Sequence, residues 1–253
     1  MPFIAFDNVS LKYNTPDGET SAIKNVTHTF EDGEFTAVVG PSGCGKSTLL
    51  HLAAGLLLPD SGKISIDGKA ITGALPQVGY MLQTDHLFDW LTIEKNVLVG
   101  LKVRGILSEE SIDLSYKLLE QCGLADFIKS FPRELSGGMR QRAALVRTLV
   151  MKPDILLLDE PFSAIDYQTR MTLAQDVHSI IKASKKTAIL VTHDIVEAVS
   201  MADSVIVMSP RPGKIKAVHR INIQGTPIER RAGGSALNEY FDIIWKELDT
   251  NAE

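Results

Sequence analysis

Five short stretches of the chain are mostly apolar, and the rest alternate or follow a helical period. The apolar stretches are Phe35–Val39, Val78–Leu82, Ile155–Leu158, Thr187–Thr192 and Ser204–Met208, the third of them unbroken. A short continuous apolar run bounded by turn residues reads as a strand covered on both faces, the habit of parallel sheets. Between these runs lie helical stretches at Thr48–Leu58, Gly137–Val150, Thr169–Lys182 and Ile195–Met201. Strands alternating with helices imply right-handed crossovers and a mainly parallel sheet. Before this core, Phe3–Tyr13 alternates and reads as an edge strand. Thr15–Gly18 forms a turn, Ser21–Phe30 reads as a second strand, and Asp32-Gly33 turns into the first core strand. These predict an antiparallel β layer leading into the core. After the phosphate-loop helix, Lys63–Asp67 is a short alternating strand.

From Thr92 to Ile128 the pattern turns helical, with Ile112, Tyr116 and Leu119 on one face. Ser108 is a plausible cap followed by Glu109 and Glu110, and Gly123 marks an end. This is a helical subdomain, about residues 89–150, inserted between two halves of the core. Residues 214–253 read as an appendage. Lys214–Ile223 is strand-like, and Ala236–Leu248 is amphipathic through Leu237, Phe241, Ile244, Trp245 and Leu248.

Composition narrows this picture. The 253 residues are 44% hydrophobic with a net charge of −5, enough for a sizeable core and unsuited to a broad nucleic-acid surface. The two cysteines, Cys44 and Cys122, suggest no structural disulfide and fit a reducing compartment. The N-terminus lacks a leader pattern, and no run reaches the ~18 apolar residues of a membrane span. The expectation is a soluble, cytosolic protein that meets any membrane through a partner.

Gly40-Pro41-Ser42-Gly43-Cys44-Gly45-Lys46-Ser47 carries the chemistry. It follows a buried strand, opens a helix with Thr48, and matches the loop whose backbone N–H groups cradle phosphates. Lys46 would reach the terminal phosphates and the Ser47 hydroxyl would hold Mg²⁺. Asp159-Glu160 ends a buried strand, at the sheet edge where open α/β sheets bind ligands. Asp159 can hold Mg²⁺ opposite Ser47, and Glu160 can orient or deprotonate water. Leu135-Ser136-Gly137-Gly138-Met139-Arg140-Gln141 opens another helix, with Ser136 as its N-cap. Ser-Gly-Gly alone is a common turn. Yet one triphosphate has no need of two helix ends, so each suits a different molecule, with two chains facing each other.

Taken in order, these motifs resemble the ATP-binding cassette (ABC) ATPases, over about residues 3–223. The resemblance implies that Tyr13 stacks on adenine and that Gly40 to Thr48 bind phosphate. It implies that Gln83 senses Mg²⁺ and water, and that Ser136, Gly137 and Gly138 contact the γ-phosphate of ATP across a dimer. Asp159 becomes the metal aspartate, Glu160 the catalytic glutamate and His193 the switch histidine. Asp166 falls in the segment Ser163–Asp166, where the family usually has Leu in place of Ile165. The implied cofactors are ATP and Mg²⁺, the metal being held by Ser47, Gln83 and Asp159. The implied partners are a second copy of the chain, permease subunits docking near residues 83–97, and indirectly a substrate-binding protein.

Such a subunit would be peripheral on the cytoplasmic face of the membrane. The implied division is a cassette over 1–223 and a short helical appendage over 224–253. Trp90-Leu91-Thr92 and the turn Ser209-Pro210-Arg211-Pro212-Gly213 resemble the nitrate, sulfonate and taurine importer group, which also contains uptake systems for thiamine precursors. A DNA-repair cassette is disfavoured because heptads and paired Cys-x-x-Cys are absent, and an ordinary phosphate-loop kinase because a signature and a switch histidine are present. For Arg140, Arg142 and Arg147 a solvated face and a dimer or nucleotide role stay equally open. Cys44, among loop N–H groups near a lysine, is expected to have a lowered pKa and to react with thiol reagents.

Overall fold

A computed structural model describes residues 3–16 and 18–249. In chain order it begins with β1 (Ile4–Thr15), β2 (Gly18–Phe30), β3 (Phe35–Val39), α1 (Lys46–Ala53), β4 (Ser61–Ile66), β5 (Lys69–Ala70) and β6 (Val78–Met81). Three helices follow: α2 (Ile93–Val103), α3 (Glu109–Gln121) and α4 (Gly137–Leu149). Then come β7 (Ile155–Asp159), α5 (Tyr167–Ala183), β8 (Thr187–Val191), α6 (Ile195–Met201), β9 (Ser204–Met208) and β10 (Ile215–Arg220). The described chain closes with α7 (Pro227–Ala232) and α8 (Ser235–Leu248).

Two sheets result. The larger has the order β10-β9-β3-β8-β7-β6. All its pairings are parallel except that of β10 with β9. The strands β3, β7, β8 and β9 bury every residue. Their period of two feeds opposite faces. Phe35, Ala37 and Val39 of β3 enter one core with Leu156 and Leu158 of β7. Val38 enters the other core with Ile155 and Leu157. The smaller sheet is antiparallel, in the order β2-β1-β4-β5. The helix α1 lies between the sheets, with Leu49, Leu50, Leu52 and Ala53 all buried in the second core. Each fully buried leucine contributes roughly 1.5–3 kcal/mol relative to exposure.

Two expectations change here. The first strand is not an edge: β1 pairs with β2 on one side and β4 on the other. Alternation reveals one covered face but not how many neighbours a strand has. Residues 215–220 do not stand apart either, since β10 extends the main sheet. Beyond them, α8 packs on α6 through Leu237 and Ile244, both buried in the first core. Trp245 is 56% exposed, stacked on Phe241 at 5.9 Å. The buried Arg230 of α7 donates to the Ala202 and Ser200 carbonyls at 2.8 and 3.3 Å, capping the end of α6.

In the helical layer, Ser108 caps α3 in a reciprocal box with Ser111. Asn96, fully buried on α2, accepts from Phe88 N–H at 2.7 Å and donates to the carbonyls of Phe88, Leu91 and Thr92. One amide side chain thereby fixes the Phe88–Thr92 segment and presents Trp90, 73% exposed, to solvent.

Candidate nucleotide site

Six residues, Gly40 to Gly45, join the C-terminal end of β3 to α1. Gly45 sits at φ 106°, and a Cβ there would lie 2.7 Å from Ile23 Cγ2 and 3.0 Å from the Ala22 carbonyl. Only glycine meets both the dihedral and the close approach to β2. The helix start has no side-chain cap, so its first N–H groups face the loop interior. The Lys46 ammonium, nearly buried, donates to the Gly40 and Pro41 carbonyls at 2.8 and 3.1 Å.

A cavity of about 280 Å³ opens beside this loop, lined by Tyr13, Ser42, Gly43, Gly45, Lys46, Ser47 and Thr48 and also by Gln83, Glu160 and Arg211. The Tyr13 hydroxyl is 3.2 Å from Thr48 Oγ1. Asp159, 3% exposed, lies at the end of β7. Burial pushes its carboxyl above the usual range, while a hydrogen bond from Ser47 pulls the other way and Glu160 adds to the rise. Burial and then the Asp159 charge likewise raise the neighbouring Tyr80 phenol.

Glu160 is the strained residue of the site. It holds φ 47°, a left-handed backbone that side-chain-bearing residues seldom adopt. Its N–H donates to the Val191 carbonyl at 2.9 Å. Its carbonyl accepts from Gln141 Nε2 at 2.9 Å and Ser163 Oγ at 3.1 Å. Its carboxylate accepts from Gln83 Nε2 at 3.3 Å and lies 3.4 Å from His193 Nδ1. Gln83, Asp159, Glu160 and His193, separated by up to 110 positions, thus converge on one end of the parallel sheet.

Ser136 caps α4 by accepting from Met139 N–H at 3.3 Å. Neither it nor Gly137 or Gly138 lines the cavity. Asp166 lies off the cavity as well: its carboxylate accepts from Thr169 N–H at 3.1 Å as the N-cap of α5, and those bonds hold it below the usual range.

The three arginines of α4 are internal staples, which neither earlier reading foresaw. Arg140 pairs with Asp85 at 3.0 Å, Arg147 donates to the Asp85 and His86 carbonyls, and Arg142 donates to the Cys122 carbonyl. Cys44 corrects a second expectation. Its side chain is 1% exposed, and burial pushes the thiol up; Lys46 lowers it less than burial raises it. The loop folds the sulfur into the second core, away from the phosphate side. Arg211, which no motif marks, also lines the cavity; the sequence signal for it is that its turn follows a buried strand at the ligand edge of a parallel sheet.

A parallel sheet whose β3 end carries a phosphate loop and whose β7 end carries Asp159-Glu160 defines a nucleoside-triphosphate-hydrolysing domain. The ABC transporter family model matches residues 23–163, and the chain belongs to that family as its ATP-binding, ATP-hydrolysing subunit. It is 45% identical over 253 residues to the ABC transporter ATP-binding protein YtlC of Bacillus subtilis, covering 99% of this chain and 97% of that one. It is 43% identical to the nitrate import ATP-binding protein NrtD of a Synechocystis strain, covering 82% and 78%. With the aliphatic sulfonates import ATP-binding protein SsuB of Bacillus licheniformis the figures are 40%, 92% and 89%. Among solved structures, a dimeric post-hydrolysis state of the cassette MJ0796 bound to ADP and Pi superposes with TM-score 0.79 at 29% identity, covering 87% of this chain and all of that one.

Proposed function

We propose that the chain is the ATP-hydrolysing subunit of an importer and works as a head-to-tail dimer. In this reading each ATP lies between the phosphate loop of one copy and the signature of the other. The observation that carries it is the separation of two phosphate-seeking helix ends. The start of α1 lines the 280 Å³ cavity; the start of α4, Ser136–Gly138, does not. The similarity to a dimeric cassette supports the same reading.

Within it, Tyr13 stacks on the base, Gly40 to Thr48 hold the phosphates, and Ser136, Gly137 and Gly138 reach the partner's γ-phosphate. Asp166 lies in the segment flanking that interface. The donor set fits Mg²⁺. Among the described residues no cluster of three or more His, Cys, Asp or Glu could enclose a metal. A single buried carboxylate, Asp159, hydrogen-bonded to the Ser47 hydroxyl, with Gln83 on the same cavity wall as Ser47, matches a cation that is shared with phosphates rather than caged by protein. The metal, when bound, neutralises charge on the phosphates. Glu160 accepts the water proton, and His193 and Gln83 hold its carboxylate in place.

The exposed, Asn96-fixed segment within residues 83–97 is the docking site for permease subunits, which place the chain at the cytoplasmic face of the membrane. Among the described residues no helix is long and apolar enough to cross a membrane. The related nitrate and sulfonate import subunits favour a substrate of nitrate, sulfonate or taurine type, or a related small organic solute, delivered by a binding protein that this subunit does not touch.

Glu160→Gln tests the core of the reading. With MgATP it should lose turnover by at least about 100-fold and elute as a dimer in size exclusion. A monomeric E160Q at saturating MgATP refutes the shared site.

A further inference from the structure

The turn Ser209–Gly213 is bound tightly to the phosphate loop and has no role in the reading above. Because β9 runs parallel to β3, the turn after β9 emerges at the same sheet edge as Gly40–Gly45. It is fixed there by backbone bonds: Gly213 N–H donates to the Ala22 carbonyl at 2.9 Å, and Lys24 N–H to the Gly213 carbonyl at 3.0 Å. A Cβ on Gly213 would lie 1.9 Å from the Cys44 carbonyl, so the two loops touch backbone to backbone. This anchoring carries Arg211 to the cavity wall. Its Nε donates to the Gly43 carbonyl at 3.1 Å, and its Nη2 would be 3.3 Å from a Cβ on Gly43. No carboxylate pairs with it among the described residues. Of the five guanidinium N–H donors, one is used on Gly43.

We propose that Arg211 is a phosphate-binding residue of the nucleotide site, supplied in cis by the turn after β9. The proposal rests on the ATP-binding reading above and adds a second cation to it. Lys46 and Arg211 are the two cations lining the cavity, and they approach the loop from opposite ends, at Gly40–Pro41 and at Gly43. A planar guanidinium with unused donors suits phosphate oxygens better than an ammonium does. The hydrogen bond to Gly43 holds it aimed before a nucleotide arrives.

Titration calorimetry of MgATP on the full chain, with Arg211→Lys, Arg211→Gln and Arg211→Ala beside Lys46→Ala, tests it. A charge-assisted phosphate contact predicts a Kd raised about tenfold in R211A and R211Q, and within about threefold of wild type in R211K. The nucleotide-free Tm should be the same in all three, because the side chain is exposed. R211Q keeps a donor for the Gly43 carbonyl without the charge. Wild-type affinity in R211Q therefore means that Arg211 only straps the loop and overturns the proposal. Wild-type affinity in R211A overturns it too, as does a nucleotide-free Tm lowered in R211A and R211Q together with the affinity. A wild-type chain that binds MgATP no better than K46A refutes the ATP-binding reading itself, whatever Arg211 does.

Discussion

Two helices of this chain start in glycine-bearing loops, and they start differently. At α1 no side chain caps the helix, the loop curls over its first turn, and Tyr13, Gln83 and Glu160 wall the space in front. At α4 Ser136 claims one N–H, Gly137 is exposed, Gly138 lies against the Ala164–Ile165 backbone, and none of the three lines the cavity in front of α1. Each end carries the same partial positive charge. What differs is enclosure: one end owns a chamber, and the other lends a surface. A helix dipole is therefore not enough to call a site complete; the walls decide which molecule it serves.

The sharpest way to break this comparison is to change each end and read binding and turnover separately. Gly137→Asp, at a position where an added Cβ comes no closer than 3.9 Å to a neighbouring side chain, puts a carboxylate where the proposed dimer receives the partner's γ-phosphate. ATPase should fall at least about 100-fold, while MgATP affinity of the isolated chain stays within about twofold. Equal loss of affinity in the monomer would place α4 on the chain's own nucleotide. Lys46→Ala acts at the enclosed end. Removing the ammonium should weaken MgATP binding by about 2–4 kcal/mol, or roughly 30- to 1000-fold. Turnover should be lost with it.

Acidification tests the fold beneath both ends. His178 of α5 stacks on Phe35 at 6.1 Å, and its Nε2 is buried without a partner. Burial, then Arg230 and Lys182, lower its pKa to about 4. The folded value lies below the unfolded one, so the stabilisation is complete above about pH 6.5. It is lost as pH falls toward 4, amounting to about 3 kcal/mol. In His178→Gln that difference in denaturant midpoint between pH 7 and 4.5 should shrink. An unchanged pH profile would mean that His178 titrates normally. The smallest effect belongs to Ser136→Ala, which removes a cap worth about 1 kcal/mol. It should lower Tm by a few degrees without touching MgATP affinity of the monomer.

Much of this was legible in the residues, for identifiable reasons. Buried parallel strands are written as short, mostly apolar runs, so the strands Ile155–Asp159 and Ser204–Met208 lie where the pattern places them. The phosphate loop and Asp159-Glu160 are local motifs at strand ends. What depended on packing between distant segments was not legible. The thiol of Cys44 points into a core formed by residues from both sheets. The three arginines of α4 have partners far away in sequence. The interior position of β1 required knowing that β4 returns beside it. Arg211 required knowing that two loops touch.

The bonds around Gln141 carry a further consequence. From α4, its amide holds the Glu160 carbonyl and accepts the Ala164 N–H at 3.0 Å. On the same helix Arg140 and Arg147 hold Asp85 and His86, and Gln83 just before them holds the Glu160 carboxylate. Three segments thus form a closed triangle of hydrogen bonds, and no vertex can shift without straining the other two. Influence within such a triangle has no preferred direction. Whatever free energy a partner spends by tilting the residue 83–97 segment must reappear, with the same size, as a change in how firmly that segment is held once the nucleotide end has moved.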